Sequence, residues 1–155
     1  MTSTALERLN QAGLELPNPP GVGGAYVQTK QIGDILYVSG QVAAGADGLV
    51  ATGKVGGEVD FDTGFKCAQQ CALNLLAQVQ AAVGDLDKVK QVIKLTVFVA
   101  AVPDYIEPQK VANGASELMQ EVFGEAGRHA RSAVGVAVLP LGVAVEVDAI
   151  VAVKA

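Results

Sequence analysis

The stretch His129–Val153 reads HARSAVGVAVLPLGVAVEVDAIVAV, and its reading decides the fold. Two runs rich in Val, Ala and Ile, Ser132–Val138 and Val143–Val153, have the composition of strands. Leu139, Pro140, Leu141 and Gly142 separate them and read as a hairpin-like connection. Arg131 leads into the first run, which reads as a buried apolar strand, and Glu146 lies inside the second. A guanidinium on an apolar sheet is costly unless it is paired or awaits a ligand. Its planar fork of donors matches a carboxylate. A small-acid binding site is therefore one reading, and a structural ion pair from Arg131 to Glu146 or Glu125 is the other.

Upstream, Val89–Val99 (VKQVIKLTVFV) is β-branched and predicts a strand. Asp62–Val83 carries Phe65, Ala68, Ala72, Leu75, Leu76, Val79 and Val83 at helical spacing, and Gly84 supplies the stop. A second helix is expected from Ile106 or Pro108 to Phe123, and a turn over Gly124–Gly127. Ala25–Lys30 and Asp34–Ser39 predict a hairpin about Gln31, Ile32 and Gly33. Gly45–Gly57 reads as a loop with a ragged strand, Leu49–Ala51, and such a loop can close over a site. Thr2–Ala12 predicts a short helix capped by Ser3, which Pro17–Gly21 terminates. The order is two or three strands, helix, strand, helix, two strands, which predicts an α+β fold with helices on one sheet face. Strands apolar on both sides need cover on the second face too. In a chain this small a second copy must supply it, so an oligomer is expected.

The 155 residues are 50% hydrophobic and 17% charged, the proportions of one globular domain with a sizeable core. A net charge of −5 argues against nucleic acid as a partner, because that binding rests on basic groups neutralising phosphates. No long apolar run predicts a membrane span, and the N-terminus lacks a signal-peptide core, so a cytoplasmic protein is expected. Cys67 and Cys71 are four apart and read as buried core thiols rather than a metal pair. The glycines form neither GxxxxGK[ST] nor GxGxxG and read as turns. Ser39 as a nucleophile would need a base, and His129, the single imidazole, reads as a rim residue.

The segments GAYVQ (Gly24–Gln28), LYVSGQ (Leu36–Gln41), VIKLTVFV (Val92–Val99), HARSAVGVAVLP (His129–Pro140) and VEVDAI (Val145–Ile150) together resemble the RidA/YjgF/UK114 family. The resemblance runs from about Gly21 to the C-terminus. It divides the chain into an N-terminal helix and Pro-rich extension, 1–20, similar to a longer subgroup, and a RidA-like domain, 21–155. It implies a chorismate mutase-like fold, a mixed β-sheet with two helices packed on one face, assembled as a homotrimer with clefts between protomers. The implied activity is hydrolysis of 2-enamino and 2-imino acids to 2-keto acids and ammonia, with neither metal nor organic cofactor. Arg131 matches the arginine that grips the substrate carboxylate, and Glu146 the glutamate beside the attacking water. Tyr26 and Ser39 match cleft-lining residues, and Ser132 follows the arginine as it often does in the family. The family asparagine falls near Ser116, with Asn113 one helical turn away. Backbone groups around Gly40 and Ala130 are candidates for polarising the bound nitrogen or water. The chain departs from the family pattern at the cleft entrance, with His129 for a usual proline, Ala133 for a frequent Cys and Leu141 for a common Lys or Arg. These departures keep open a binding module that holds a small carboxylate without converting it. An RNA-cleaving role, a label some relatives carry, fits the acidic balance less well.

Overall fold

The computed structural model describes residues 3–155. Helix α1 (Ala5–Gln11) starts at Thr4, whose hydroxyl accepts from the Glu7 amide while the Glu7 carboxylate accepts from the Thr4 amide. The cap is thus Thr4 and not Ser3, because only Thr4 stands three residues before a glutamate that can reciprocate. The expected start at Thr2 lies outside the described residues. Ala5 and Leu9 of α1 are buried in the same core as the rest of the chain, and the Arg8 guanidinium donates to the Val122 carbonyl.

Strands β1 (Thr29–Ile32) and β2 (Ile35–Val42) form an antiparallel hairpin. Ile32 pairs with Ile35, so the two-residue turn is Gly33–Asp34, with Gly33 at φ +61°. The turn sits later than expected because only glycine accepts that backbone cheaply. Residues 25–28 accordingly lie outside the strand. A small hairpin, β3 (Ala44–Gly45) and β4 (Gly48–Leu49), opens the glycine-rich segment.

The long helix α2 (Phe61–Val83) is capped by the Asp60 carboxylate and closed by Gly84 in the left-handed conformation. Its apolar stripe lays Cys67, Cys71, Leu75, Leu76 and Val79 into the core, each large side chain contributing about 1.5–3 kcal/mol of burial. Burial raises the Cys67 thiol to about 11 and holds Cys71 well above the usual thiol range, so both are inert core groups at neutral pH. Strand β5 (Val89–Ala100) follows, and then a helix broken into α3 (Pro108–Val111) and α4 (Asn113–Phe123). Gly114 lets α4 seat on α2, since a Cβ there would collide with the Phe65 carbonyl. The last strands are β6 (Ala130–Val136) and β7 (Val145–Val153).

The sheet order is β1-β2-β7-β5-β6, antiparallel except for the parallel β5–β6 pair. This corrects the hairpin expected over Leu139–Gly142. β6 and β7 are not neighbours, because β5 lies between them and Pro140–Gly142 forms a tight turn, with Leu141 in the left-handed conformation, in a crossing connection. A second correction follows, since β6 is an edge strand and Arg131 is half-buried rather than set in a sealed apolar strand. One face of the sheet is closed by helices: Val145, Val147, Ala149, Val151 and Val153 are all buried. The alternate residues Glu146, Asp148, Ile150 and Ala152 are only half-buried and face away from the helices. The second face is therefore mixed in character rather than apolar, and no layer formed by the described residues covers it.

Candidate active site

Arg131 pairs in register with Leu95, a fully buried residue of the helix-covered face, so its side chain turns toward α3 and α4. There one terminal nitrogen, Nη1, donates to Asn113 Oδ1 at 2.8 Å and to Ser116 Oγ at 3.1 Å, and Nη2 donates to the Gln109 carbonyl at 3.1 Å. All three acceptors are neutral. Among the described residues Arg131 forms no ion pair, and Glu125 instead pairs with Arg128 at 3.6 Å. Three of five donors are used, which leaves the Nε hydrogen and one Nη2 hydrogen for a ligand. Two donors are what a bidentate carboxylate takes.

Ser116, almost fully buried, continues the network to His129, whose Nε2 lies 2.9 Å from Ser116 Oγ. The other ring nitrogen, Nδ1, lies 2.7 Å from the Gly127 carbonyl, which can only accept. Nδ1 therefore carries the proton, and Nε2 accepts from the Ser116 hydroxyl. Burial and, secondarily, the Arg131 charge hold His129 below the usual histidine range despite the Gly127 bond, so the ring is neutral at pH 7.

Glu146 occupies a different place. It pairs in register with Val42 on β2 and Phe98 on β5, on the face away from the helices. It lines a cleft of about 790 Å³ with Tyr26, Ser39, Gly40, Gln28, Gln41 and Leu141. That volume lies within the range of small-molecule sites. A register shift between Val38 and Gln41 marks a bulge that brings the Gly40 backbone against the Glu146 carboxylate. Burial, and then the neighbouring Asp148 charge, push the Glu146 carboxyl above its usual range. Asp148 is itself pushed up by burial, with its Thr96 hydrogen bonds and Lys94 pulling the other way.

A ladder of amides runs from the cleft lining at Gln28 and Gln41 to the buried Gln78 of α2. Gln41 donates to Gln28 Oε1 at 2.8 Å, and Gln78 donates to the Pro20 carbonyl at 2.7 Å and to Gln41 Oε1 at 3.3 Å. Gln28 donates to the Gly21 carbonyl at 2.8 Å. These bonds tie the Pro-rich segment to the cleft wall. Ser39 donates its hydroxyl to the Val27 carbonyl at 2.7 Å and so holds the segment that carries the half-exposed Tyr26.

Within one chain the expected site residues thus fall into three places. Tyr26, Ser39, Gly40 and Glu146 share the cleft. Arg131 and Ser116 share the polar network behind β6. Ala130 and Ser132 are exposed and alternate with Arg131, which puts them on the other face of β6. The amides of Gln28, Gln41 and Gln78 escaped the reading of the sequence, because glutamines give no pattern until the chain folds. The bond from Ser116 to His129 escaped it as well, although a lone serine on an apolar helix face facing a lone histidine was a usable signal. Among the described residues no group of three His, Cys, Asp or Glu side chains could hold a metal ion, and no helix is long and apolar enough to cross a membrane.

The chain is 49% identical over 144 residues to Protein TCP17 of Trypanosoma cruzi, which covers 92% of this chain and 90% of that protein. It is 30% identical over 142 residues to a 2-iminobutanoate/2-iminopropanoate deaminase of Dermatophagoides farinae, covering 91% and 95% of the two chains. A crystal structure of an Agrobacterium tumefaciens protein of unknown function superposes with a TM-score of 0.92 at 46% identity, covering 97% of this chain and 92% of that one. The family model for the YjgF/chorismate mutase-like proteins, a family whose description also carries an endoribonuclease label, matches residues 6–152. With its mixed five-stranded sheet, helices on one face and matching family model, the chain belongs to the YjgF/chorismate mutase-like family.

Proposed function

We propose that the protein hydrolyses 2-imino and 2-enamino acids to 2-keto acids and ammonia, in clefts between the protomers of a homotrimer. The observation that carries this reading is the state of Arg131. It is held by three neutral acceptors, has no carboxylate partner among the described residues, and keeps two donors free. A guanidinium kept in that state is prepared for a ligand carboxylate.

Glu146 supplies the second half of the chemistry. A carboxyl whose affinity for protons is raised is a stronger base than an exposed one. It takes a proton from water as the water oxygen bonds to the protonated imine carbon. It then returns that proton to the nitrogen, the C–N bond of the carbinolamine breaks as Glu146 takes up the hydroxyl proton, and keto acid and ammonia leave, with that last proton passing from Glu146 to the ammonia or to solvent. Arg131 and Glu146 point to opposite faces of one sheet, so a site using both needs two copies, with Arg131 of one protomer presented to the Glu146 cleft of the next. The unpaired edge of β6 and the uncovered sheet face favour such an assembly.

The test is an imine generated in solution by an amino-acid oxidase, its loss followed with and without the protein. Acceleration is expected, and its disappearance in Arg131→Ala with the oligomer intact. No acceleration with small, apolar or acidic imines refutes the deaminase. The separation of Arg131 from Glu146 within one chain favours one second reading, a module that binds carboxylates without turnover. That reading predicts saturable binding of 2-keto acids with no ammonia released.

A further inference from the structure

The polar chain running inward from Arg131 has a direction. His129 Nδ1 donates to the Gly127 carbonyl, which leaves Nε2 as the acceptor for the Ser116 hydroxyl, and Ser116 Oγ is then free to accept from Arg131 Nη1. The direction of each bond is fixed, and these directions hold only while the imidazole is neutral. A second ring proton turns Nε2 into a donor aimed at Ser116 Oγ. That oxygen then faces two cationic donors, the imidazolium and the guanidinium, and its own hydrogen loses its acceptor.

We propose that His129 is a positioning residue that holds the Arg131 guanidinium through Ser116 and releases it when the imidazole is protonated. Arg131 then keeps the Asn113 and Gln109 contacts alone and swings more freely. The groups around the ring do not offset the added charge. Arg131 is the nearest and is repulsive. Glu125 is committed to Arg128, and both are exposed. Lys110 of α3 is paired with Glu107. Glu117 and Glu121 of α4 line a groove against Phe65 and Leu14 instead. Lys94 of β5 is in register with Ala130 and therefore lies on the other sheet face.

The consequence for ligands rests on the carboxylate reading given above, whereas the positioning does not. Through-space attraction alone would make a carboxylate bind more tightly as His129 gains charge. Loss of a prepared fork makes it bind more weakly. The sign of the pH dependence that His129 contributes, read against His129→Gln, therefore separates the two.

His129 is the single histidine, so its ring resonances need no assignment. Nitrogen NMR should find the proton on Nδ1 at pH 7.5. Rotation of the Arg131 guanidinium should be slow there and quicken as the ring titrates, in parallel with it. His129→Ala and Ser116→Ala should give the fast rotation at every pH. His129→Gln, which offers an acceptor that cannot titrate, should keep it slow at every pH. From pH 7.5 to about pH 5, binding of 2-oxobutanoate by the natural protein should weaken roughly tenfold relative to His129→Gln, which shares any contribution from the titration of Glu146. A proton on Nε2, or guanidinium motion indifferent to His129→Ala and to pH, overturns the proposal, as does keto-acid binding that tightens at low pH relative to His129→Gln. If Arg131 responds as described but no keto acid binds at any pH, the positioning stands and the carboxylate reading is what fails.

Discussion

The backbone of Gly40 lies directly against the carboxylate of Glu146. A Cβ built on Gly40 would overlap Oε2 and come within 3.0 Å of Cδ. The β2 bulge and the absence of a side chain at position 40 together set where this carboxylate points. Gly40→Ala should leave the core unaltered and displace Glu146. The melting temperature is expected to fall by only a few degrees, corresponding to about 1 kcal/mol, while imine hydrolysis falls at least tenfold. Thermal unfolding and the imine assay measured on the same preparation check this, and full activity in Gly40→Ala would remove Glu146 from the mechanism.

Glu146 is held above its usual carboxylate range by burial and by Asp148. The folded state therefore retains a proton that the unfolded chain has already lost. Its contribution to stability is fully present below the unfolded value near 4.5, declines as pH rises through the folded value, and is lost above it. Glu146→Gln should thus be at least as stable as the natural protein at pH 7, with the advantage vanishing toward pH 4. Melting curves across that range test the sign, and a lower melting temperature at pH 7 would contradict it. The same variant should lose hydrolysis, which places Glu146 among residues kept for function at a cost in stability.

For Arg131, charge and geometry can be separated. Arg131→Lys keeps the cation but cannot donate to Asn113, Ser116 and Gln109 while also presenting two donors to a ligand. Keto-acid affinity should drop by about 2 kcal/mol, the scale of one charge-assisted hydrogen bond. Calorimetric titration with 2-oxobutanoate gives the number, and an unchanged affinity would show that charge alone suffices.

The two halves of the proposed site can be tested for their origin in different copies. Arg131→Ala and Glu146→Gln are each expected to be inactive. Mixed, with subunits allowed to exchange, they should regain part of the activity, because some interfaces then pair a natural Arg131 with a natural Glu146. No recovery, with exchange verified by mass spectrometry, would place both residues in one protomer's site.

Leu141 adopts φ +61°, the left-handed region, and is exposed at the cleft rim. That conformation costs a side-chain-bearing residue about 1–2 kcal/mol. Leu141→Gly should therefore raise the melting temperature. If the leucine contacts substrate or a neighbouring protomer, KM should rise or the oligomer weaken in the same variant, as kinetics and analytical ultracentrifugation would show.

The sequence by itself determined the local elements of this protein. The spacing of Phe65, Ala68, Ala72, Leu75, Leu76 and Val79 set α2, Gly84 ended it, and the β-branched run Val89–Val99 made β5. These are short-range effects of backbone preference and side-chain period, which act before the chain is compact. It also marked Arg131 and Glu146 as costly groups in apolar company. Only the tertiary structure decided which strand lies beside which. Periodicity tells a strand which face to bury, not whom to pair with, and so β5 could slip between β6 and β7 although a short connection joins those two. That insertion leaves β6 on the edge, turns Arg131 toward Asn113, Ser116 and His129, and sends Glu146 to the other face. A site that uses both Arg131 and Glu146 would thereby require a second copy, because the alternation of side chains across a sheet cannot be undone within a single chain.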